Sequence, residues 1–331
     1  EDIDRLTEGI DVDEESSNYM LMLAYLGHQK GWNFFPKEMA PRFKGLYRYY
    51  HVRNSLGVPG LAKHIGILSD AGIPVMLIKG MAMRTYYAPN VPRIMSDMDI
   101  LVPEEKFELA KFTLCAMGGK IVEESPHSMG IVNGHASVDL HRWMYKTHNE
   151  KGFDLWQRAR KIDFNGVEAY VPSPEDMFVH LLDNQSRNIV VREGLHRRMK
   201  WLYDCRRVTL HPDGIDWNIV AKKIKDFGTE HRMRLMLQMF DQCFPHVVPE
   251  YVLDMAITDE KDYEKWLKRA YRAQKARIYH GKKLEEGKLL PRVFAREILR
   301  RAEYLYLEDE LKRKDPNITY LKHVEDYYGV N

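Results

Sequence analysis

The spacing of apolar residues predicts a helical start to the chain. From about residue 16 to residue 55, apolar and aromatic side chains recur at helical spacing. The segment VPGLAKHIGILSDAG, residues 58–72, then predicts a separate amphipathic helix, because Pro59 suits a first helical turn and Gly72 suits the residue after the last one. The apolar stripe of this second helix consists of Leu61, Ile65 and Leu68.

The next apolar segments predict a β-sheet. The continuous run IPVMLIKG, residues 73–80, is typical of a strand that is buried on both faces, and a short helix is expected over residues 81–87. IMSDMDILVP, residues 94–103, predicts a second strand, and the segment after it predicts a helix that ends before Gly118. Three alternating segments then predict an antiparallel meander with a hairpin turn at Asn133-Gly134; they are KIVEE, HSMGIVNG and HASVDLHRW.

From Glu175 onward the pattern becomes helical again. Leu, Trp, Tyr and Met recur at helical spacing between charged residues, and runs of β-branched residues are few. We therefore predict an α+β protein in which a small mixed β-sheet domain lies between helical N-terminal and C-terminal parts. The predicted domains are a helical N-terminal segment, an α/β domain and a helical C-terminal domain, over residues 1–57, 58–172 and 173–331.

Composition and charge exclude several classes of protein. The 331 residues include 50 basic and 48 acidic side chains, and the net charge of +2 gives no global attraction to nucleic acid or to an anionic membrane. The three cysteines fit neither a disulfide framework nor a thiolate zinc site, so we expect buried thiols. No apolar run approaches the roughly 20 residues that span a bilayer, and the start is acidic, so a cytoplasmic protein without a membrane partner is expected.

Two carboxylates stand one residue apart within the second predicted strand. Asp97 and Asp99 project from the same face of a strand, and burying them is costly unless something positive lies beside them. This predicts a cation site, because Mg²⁺ and Mn²⁺ prefer oxygen ligands. Asp139, in the apolar segment SVDLHRW, is the candidate third carboxylate of a two-ion site. An isolated Asp-x-Asp is also a common short motif, and the alternative is that Asp97 caps a turn.

Basic residues precede these carboxylates. Lys79 and Gly80 stand at a predicted strand-to-helix junction, where a glycine allows the backbone to approach a phosphate and the helix start favours an anion. Arg84 and Arg93 are candidates to neutralise a triphosphate, although each also fits a solvated surface charge. The turn is therefore a candidate nucleotide-binding element.

Two further positions are candidates near the site. His141 lies two residues after Asp139 on the same strand face, so it is a candidate to contact the metal ligands or an acceptor; the alternative is a surface or hydrogen-bonded core histidine. Asp204 belongs either to the active cleft or to a buried pair with a nearby arginine. The surrounding segment, residues 187–207, is rich in basic and aromatic residues, which fits binding of polyphosphate or RNA and equally fits helix faces with solvated charges.

The order of these motifs resembles a known superfamily. LIKGMAMRTYY and PRIMSDMDILV, followed by VDLHRW, are similar to the polymerase-beta-like nucleotidyltransferases. The similarity is greatest to a bacterial branch that has Lys-Gly where better-known members have Gly-Ser or Gly-Gly. It covers roughly residues 60–145, and the later segments PSPEDMFVHLLDNQSR and MKWLYDCRRV resemble the helical half of that branch.

The resemblance implies an enzyme that moves a nucleoside monophosphate from a nucleoside triphosphate to an acceptor hydroxyl and releases pyrophosphate. It implies that Asp97 and Asp99 bind Mg²⁺ or Mn²⁺. By the same resemblance, Asp139 deprotonates or orients the attacking hydroxyl, and Gly80 shapes the phosphate turn. Met81 stands where a hydroxyl would contact a phosphate, so Lys79 is a candidate to take over that contact.

Two alternatives belong to other classes of protein. One is a non-catalytic module on the same fold that binds a nucleotide or RNA without chemistry. The other is a structural or partner-binding protein, which predicts that Asp97, Asp99 and Asp139 do not converge. The sequence leaves the acceptor open among a small molecule, a protein and RNA, and it does not define the base preference or the oligomeric state.

Overall fold

The computed structural model describes most of the chain between residues 18 and 285. The described residues are 18–33, 35–88, 91, 98–133, 136–145, 154–191, 200–255 and 259–285, with 312, 316, 317 and 319. They form two compact units, the first mainly within Glu1–Met144 and Glu150–Ser173 and the second mainly within Pro174–His196 and Trp201–Asn331. None of the helices in these ranges has the length and apolar character that crossing a membrane requires.

Two helices open the first unit. Helix α1 spans Asn18–Lys30 and helix α2 spans Ala40–Asp70, which confirms the predicted helical start. Phe35, between the helices, stacks on Phe43 with ring centroids 4.3 Å apart, and both rings are buried in one apolar cluster with Leu21. Because aromatic rings remove large apolar areas from water, this cluster holds α1 against α2.

Helix α2 does not begin at Pro59, as the sequence predicted, but continues through it. A proline inside a helix removes one backbone hydrogen bond and costs about 3 kcal/mol or more. Pro59 is exposed, as is Ser55, whose carbonyl loses that bond, whereas Leu61 and Ile65 are fully buried. The proline therefore lies on the exposed side of the helix while the buried stripe packs, and tertiary contacts outweigh the local signal. The predicted boundary between residues 57 and 58 falls within this helix.

One mixed sheet of seven strands forms the rest of the core of the first unit. In chain order the strands are β1 Met76–Leu77, β2 Met98–Leu101, β3 Lys120–Glu124, β4 Ser128–Asn133, β5 Ala136–His141, β6 Arg160–Phe164 and β7 Val167–Val171. Their order across the sheet is β3-β4-β5-β2-β1-β7-β6. β2 is parallel to β5 and β1 is parallel to β7, while the other neighbouring pairs are antiparallel. The predicted mixed sheet is confirmed.

Short helices connect these strands. They are α3 Lys79–Met83, α4 Phe107–Ala116 and α5 Leu155–Arg158, with 3₁₀ turns at Arg84–Tyr86 and Glu104–Lys106. The helix predicted over residues 81–87 thus exists but begins earlier, at Lys79. β1 lies between β2 and β7, and residues 75–78 are all buried, as the continuous apolar run predicts.

The three-strand meander was predicted and a separate hairpin was missed. The meander β3-β4-β5 is confirmed, with β4 and β5 paired from Ser128 opposite His141 to Asn133 opposite Ala136. The turn residues 134–135 lie outside the described residues. The hairpin of β6 and β7 was not predicted, although Asn165-Gly166 carries the same signal. The φ values of 54° and 84° at these two residues fit the turn type that closes such hairpins.

The described part of the second unit is helical, as predicted. Its helices are α6 Pro174–Val191, α7 Lys200–Thr209, α8 Trp217–Asp226, α9 Glu230–Cys243, α10 Glu250–Met255 and α11 Glu260–Glu285. The Asp183 carboxylate on α6 is fully buried and accepts hydrogen bonds from Arg187 and Arg232. Because a buried carboxylate is costly unless it is paired, these contacts fix α6 against α9.

The cysteines match the prediction of buried thiols only in part. Cys205 is buried and Cys115 is partly buried, but Cys243 is exposed, and all three are free. Burial raises the pKa of the Cys205 thiol. The prediction was wrong for Cys243. It is the last residue of α9 and comes after Phe240, the last buried residue of that helix.

Candidate active site

The candidate site forms where strands β2 and β5 lie side by side. Asp99 on β2 and Asp139 on β5 are paired in register across the two parallel strands. Side chains at paired positions project from the same face of a sheet, so the two carboxylates lie next to each other. Asp99 is only 6% exposed, and the following Ile100 is fully buried. Two largely buried carboxylates require a positively charged group beside them.

Lys79 supplies that positive charge. Its ammonium nitrogen Nζ lies 2.5 Å from Asp99 Oδ1 and 3.8 Å from Asp139 Oδ2. The backbone of Lys79 is in the left-handed region, with φ of 48°, which costs a residue with a side chain about 1–3 kcal/mol. The left-handed residue of this turn is therefore Lys79, the first residue of helix α3, and not Gly80, the second.

His141 completes the cluster. Its Nε2 lies 2.9 Å from Asp139 Oδ2 and 3.2 Å from Asp99 Oδ1, and the residue is 1% exposed. Because carboxylates only accept hydrogen bonds, Nε2 carries the proton when it bridges the two aspartates. Lys79 Nζ lies 3.1 Å from the same nitrogen. An ammonium only donates, so Nε2 does not bond to both kinds of partner at once.

Both aspartates are ionised at neutral pH. Burial opposes ionisation of Asp99, but the charge of Lys79 and the hydrogen bond with His141 outweigh it and hold the pKa of Asp99 below its ordinary value. Burial of Asp139 is likewise outweighed, by His141 first and then by Lys79 and a hydrogen bond with Ser128, so the pKa of Asp139 is well below its ordinary value. The cluster therefore presents two anionic carboxylates.

The described side chains of this cluster fit a divalent metal ion. Asp99, Asp139 and His141 each offer one ligand atom, and these atoms lie within 4.8 Å of one another. Carboxylate oxygens are the preferred ligands of Mg²⁺ and Mn²⁺, and imidazole nitrogen is a common ligand of transition metals. A metal bound to Nε2 of His141 requires that nitrogen to give up its proton.

Of the predicted nucleotide-binding residues, Lys79 lies in the cluster, and Gly80 follows it in the chain. Arg84, in the 3₁₀ turn after α3, donates a hydrogen bond to Asn54 Oδ1 on α2 at 3.0 Å. This contact ties the turn to the long helix. Arg84 thus has a structural partner in addition to its predicted role.

The remaining predicted residues fall into two groups. Asp97 and Arg93 lie outside the described residues, as do residues 192–199 of the basic segment. Asp204 is buried in helix α7 of the second unit, with 2% of its surface exposed. Within the described part of the basic segment, Arg187 is buried in an ion pair, which fits a structural charge.

Sequence reasoning missed two residues that support the cluster. Ser128 on β4 pairs in register with His141 and contributes to the lowered pKa of Asp139. Gly57 on α2 leaves room for Met98, the residue before Asp99; a Cβ at Gly57 would come 1.9 Å from the Met98 methyl carbon. Neither residue belongs to a local motif, because both contacts arise only when distant elements pack.

Comparison with protein families agrees with this geometry. The model of a family described as "Uncharacterised nucleotidyltransferase" matches residues 19–245, more than half of the chain. The chain therefore belongs to this nucleotidyltransferase family, which confirms the resemblance seen in the motifs and supports a nucleotidyltransfer role. No curated protein sequence matches the chain.

Solved structures of nucleotidyltransferases resemble the chain at low identity. The solution structure of the antibiotic-resistance factor ANT(2'')-Ia has a TM-score of 0.37 at 14% identity and covers 56% of this chain and 92% of its own. The crystal structure of ANT(2'')-Ia with adenylyl-2''-tobramycin has a TM-score of 0.37 at 14% identity, covering 56% and 98%. An antigenic nucleotidyltransferase-like protein from Paracoccidioides brasiliensis has a TM-score of 0.36 at 12% identity, covering 64% and 95%. At these TM-scores the likeness carries no argument about substrates.

Proposed function

We propose that the protein is a metal-dependent nucleotidyltransferase that moves a nucleoside monophosphate from a nucleoside triphosphate to an acceptor hydroxyl and releases pyrophosphate. The observation that carries the proposal is the register pairing of Asp99 with Asp139, which puts two ionised carboxylates on one face of the sheet. Family membership supports the reaction class. The proposal leaves the acceptor open among a small molecule, a protein and RNA.

Asp99 and Asp139 are the proposed ligands of Mg²⁺ or Mn²⁺, together with Asp97. A bound ion supplies positive charge to the triphosphate and to the leaving pyrophosphate. Asp99 stands on strand β2 inside the sheet and is almost completely buried, so its carboxylate needs little reorganisation when substrate arrives. Most of the rate enhancement is then expected from positioning, because nucleotidyl transfer requires little covalent chemistry from the protein.

Asp139 is proposed to orient the acceptor hydroxyl. Although burial opposes its ionisation, contacts with His141, Lys79 and Ser128 hold the pKa of Asp139 well below its ordinary value. A general base works best when its pKa lies near the operating pH, so a carboxylate this acidic is a weak base. Of the two roles that the resemblance implies, accepting a hydrogen bond from the hydroxyl fits Asp139 better than removing the proton.

Lys79 and Gly80 are proposed to contact the triphosphate at the turn after β1, with Arg84 and Arg93 as further positive charges. Lys79 is the best supported of the four, since its ammonium already lies at the carboxylate pair. Charge-assisted hydrogen bonds from lysine and arginine to phosphate oxygens are strong and short. They would hold the α-phosphate near the acceptor hydroxyl.

Calorimetric titration of the four ribonucleoside triphosphates into the protein, with Mn²⁺ and with EDTA, tests the proposal. We expect at least one triphosphate to bind and its binding to require the metal. An α-labelled nucleotide then reports transfer to an acceptor, with pyrophosphate release measured on the same sample. Nucleotide binding indifferent to the metal would favour the non-catalytic nucleotide- or RNA-binding module. Failure of every triphosphate to bind in both conditions would contradict the proposal.

A further inference from the structure

Lys79 occupies the place of a cation within the candidate metal site. Its Nζ lies 2.5 Å from Asp99 Oδ1, 3.8 Å from Asp139 Oδ2 and 3.1 Å from His141 Nε2. Among the described residues, Asp99, Asp139 and His141 are the three that each offer a metal-ligand atom within 4.8 Å of the other two. The ammonium therefore approaches each ligand atom that this trio offers to a metal.

An ammonium in this position and a divalent metal ion exclude each other. A metal ion sits about 2.0–2.2 Å from oxygen and nitrogen ligands of this kind. The Asp99 oxygen that would bind it already has Lys79 Nζ within 2.5 Å. Two cations sharing one oxygen would repel strongly, because the site is largely buried and water screens the repulsion poorly. Lys79 must therefore move away when a metal binds.

Lys79 is also the member of the cluster that is able to move. Its side chain is 28% exposed, against 8% for Asp99 and 2% for His141. A lysine has a flexible four-carbon stem and a point charge that finds new partners easily. Asp99 and His141 stand on paired strands, which fix their positions. Phosphate oxygens at the turn after β1 would give the displaced ammonium a new acceptor.

We infer that Lys79 is a resident cation that the metal displaces, so that metal and triphosphate bind cooperatively. This inference rests on the proposed function. In the free protein Lys79 neutralises Asp99 and competes with the metal, and in the complex it pairs with the triphosphate. Two ligands that each favour the displaced lysine raise each other's affinity by the same factor. The lysine thereby disfavours metal binding without nucleotide.

Mn²⁺ binding, measured by electron paramagnetic resonance of the free ion, tests the inference without turnover. Lys79→Met removes the charge and keeps the length of the side chain. We expect this variant to bind Mn²⁺ about tenfold or more tightly than the wild type when nucleotide is absent. With the Mn²⁺ bound by the triphosphate alone subtracted from a protein-free titration, a non-hydrolysable triphosphate should raise the affinity of the wild type for Mn²⁺ by about tenfold or more and that of Lys79→Met by less.

Two control variants test whether Mn²⁺ binding depends on a positive charge at residue 79 or only on the net charge of the protein. Lys79→Arg keeps a positive charge at the site and should bind Mn²⁺ in the absence of nucleotide about as weakly as the wild type. Lys63→Met removes an exposed lysine of α2 and should leave Mn²⁺ binding unchanged despite the same change in net charge. Tighter binding in both methionine variants would mean that net charge alone explains the effect, and would overturn the inference.

The remaining outcomes distinguish this inference from the proposed function. Equal Mn²⁺ affinity in the wild type and Lys79→Met overturns the inference and leaves the proposed function standing. Absence of Mn²⁺ binding in both proteins, with and without nucleotide, overturns the proposed function and the inference with it. If Lys79→Met does not fold, Lys79→Gln serves as the charge-removing variant, and Mn²⁺ affinity equal to that of the wild type without nucleotide would overturn the inference.

Discussion

Asp99 and Asp139 occupy facing positions on two parallel strands although they are far apart in sequence. Helix α4 and strands β3 and β4 lie between them in the chain, so their proximity depends on the register in which β5 pairs with β2. A slip of β5 by one residue would turn Asp139 to the other face of the sheet. The candidate site is thus a product of sheet register, and substitutions at or near these strands test it.

Asp99→Asn is expected to abolish nucleotidyl transfer while the fold stays intact. The amide keeps the shape of the side chain but removes the charge proposed to bind the metal, so we expect transfer to fall by about a hundredfold or more. Release of labelled pyrophosphate measures the loss, and circular dichroism checks the fold. Asp70→Asn, at the exposed end of α2, is the matched control and should retain activity. Full activity in Asp99→Asn would end the proposal.

Asp139→Asn is expected to lower stability at neutral pH and to lose this effect in acid. The folded-state pKa of Asp139 lies below the unfolded value of about 3.9, so its ionised form stabilises the fold. That contribution is fully present above about pH 4 and declines as the pH falls toward the folded-state pKa. Urea midpoints of both proteins, measured near neutral pH and near pH 3, should therefore differ less in acid. An equal difference at both pH values would show that the charge of Asp139 is not stabilising.

Gly57→Ala is expected to leave the first unit about 0.5–1.5 kcal/mol less stable than Gly45→Ala does, because the flexible end of Met98 must leave its rotamer to admit the added Cβ. The added Cβ would come 1.9 Å from the methyl carbon of Met98, which must then shift beside Asp99. Gly45→Ala on the same helix meets nothing within 4 Å and should instead stabilise by about 0.5–1 kcal/mol. Thermal or urea unfolding measures both changes.

The Gly57 contact also permits a double-mutant test. Met98→Ala removes the group that must shift, so the double variant should be more stable than the sum of the two single changes in unfolding free energy predicts. If the changes in the free energy of unfolding are additive, α2 does not contact Met98 closely at Gly57. The test addresses how α2 supports the strand that carries Asp99.

Asp183→Asn is expected to destabilise the second unit by about 3–5 kcal/mol, because it leaves Arg187 and Arg232 buried without their shared anion. Lys222→Met breaks an exposed ion pair with Asp226 and should change stability by at most about 0.5 kcal/mol. Urea unfolding of the two variants gives the comparison. Similar small losses in both would contradict a structural role for the buried pairs.

The fold was predictable where the sequence pattern and the packing agree. The continuous apolar run of β1 and the alternation of β4 and β5 each indicate the observed strand. The start of α2 was not predictable, because Pro59 is a strong local signal that only the buried stripe of the folded helix outweighs. The hairpin at Asn165 was missed although its turn signal was present.

The candidate site was predictable in its composition but not in its contacts. Asp99 and Asp139 are marked by a motif and by strand alternation, and the sequence required something positive beside them. In the sequence, several basic residues were equally good candidates to supply this positive charge. The choice of Lys79 depends on the pairing of β1 with β2, which brings distant segments together and leaves no local signal.

The position of β1 inside the sheet has a consequence for the order in which the protein is made. β1 pairs with β2 on one side and with β7 on the other, where Met76 lies opposite Tyr170. Lys79 therefore leaves the ribosome long before β7, the second neighbour of β1 in the sheet, has been synthesised. Because contacts between distant segments form slowly, the turn that carries Lys79 gains its final support only late in folding, after β7 has left the ribosome.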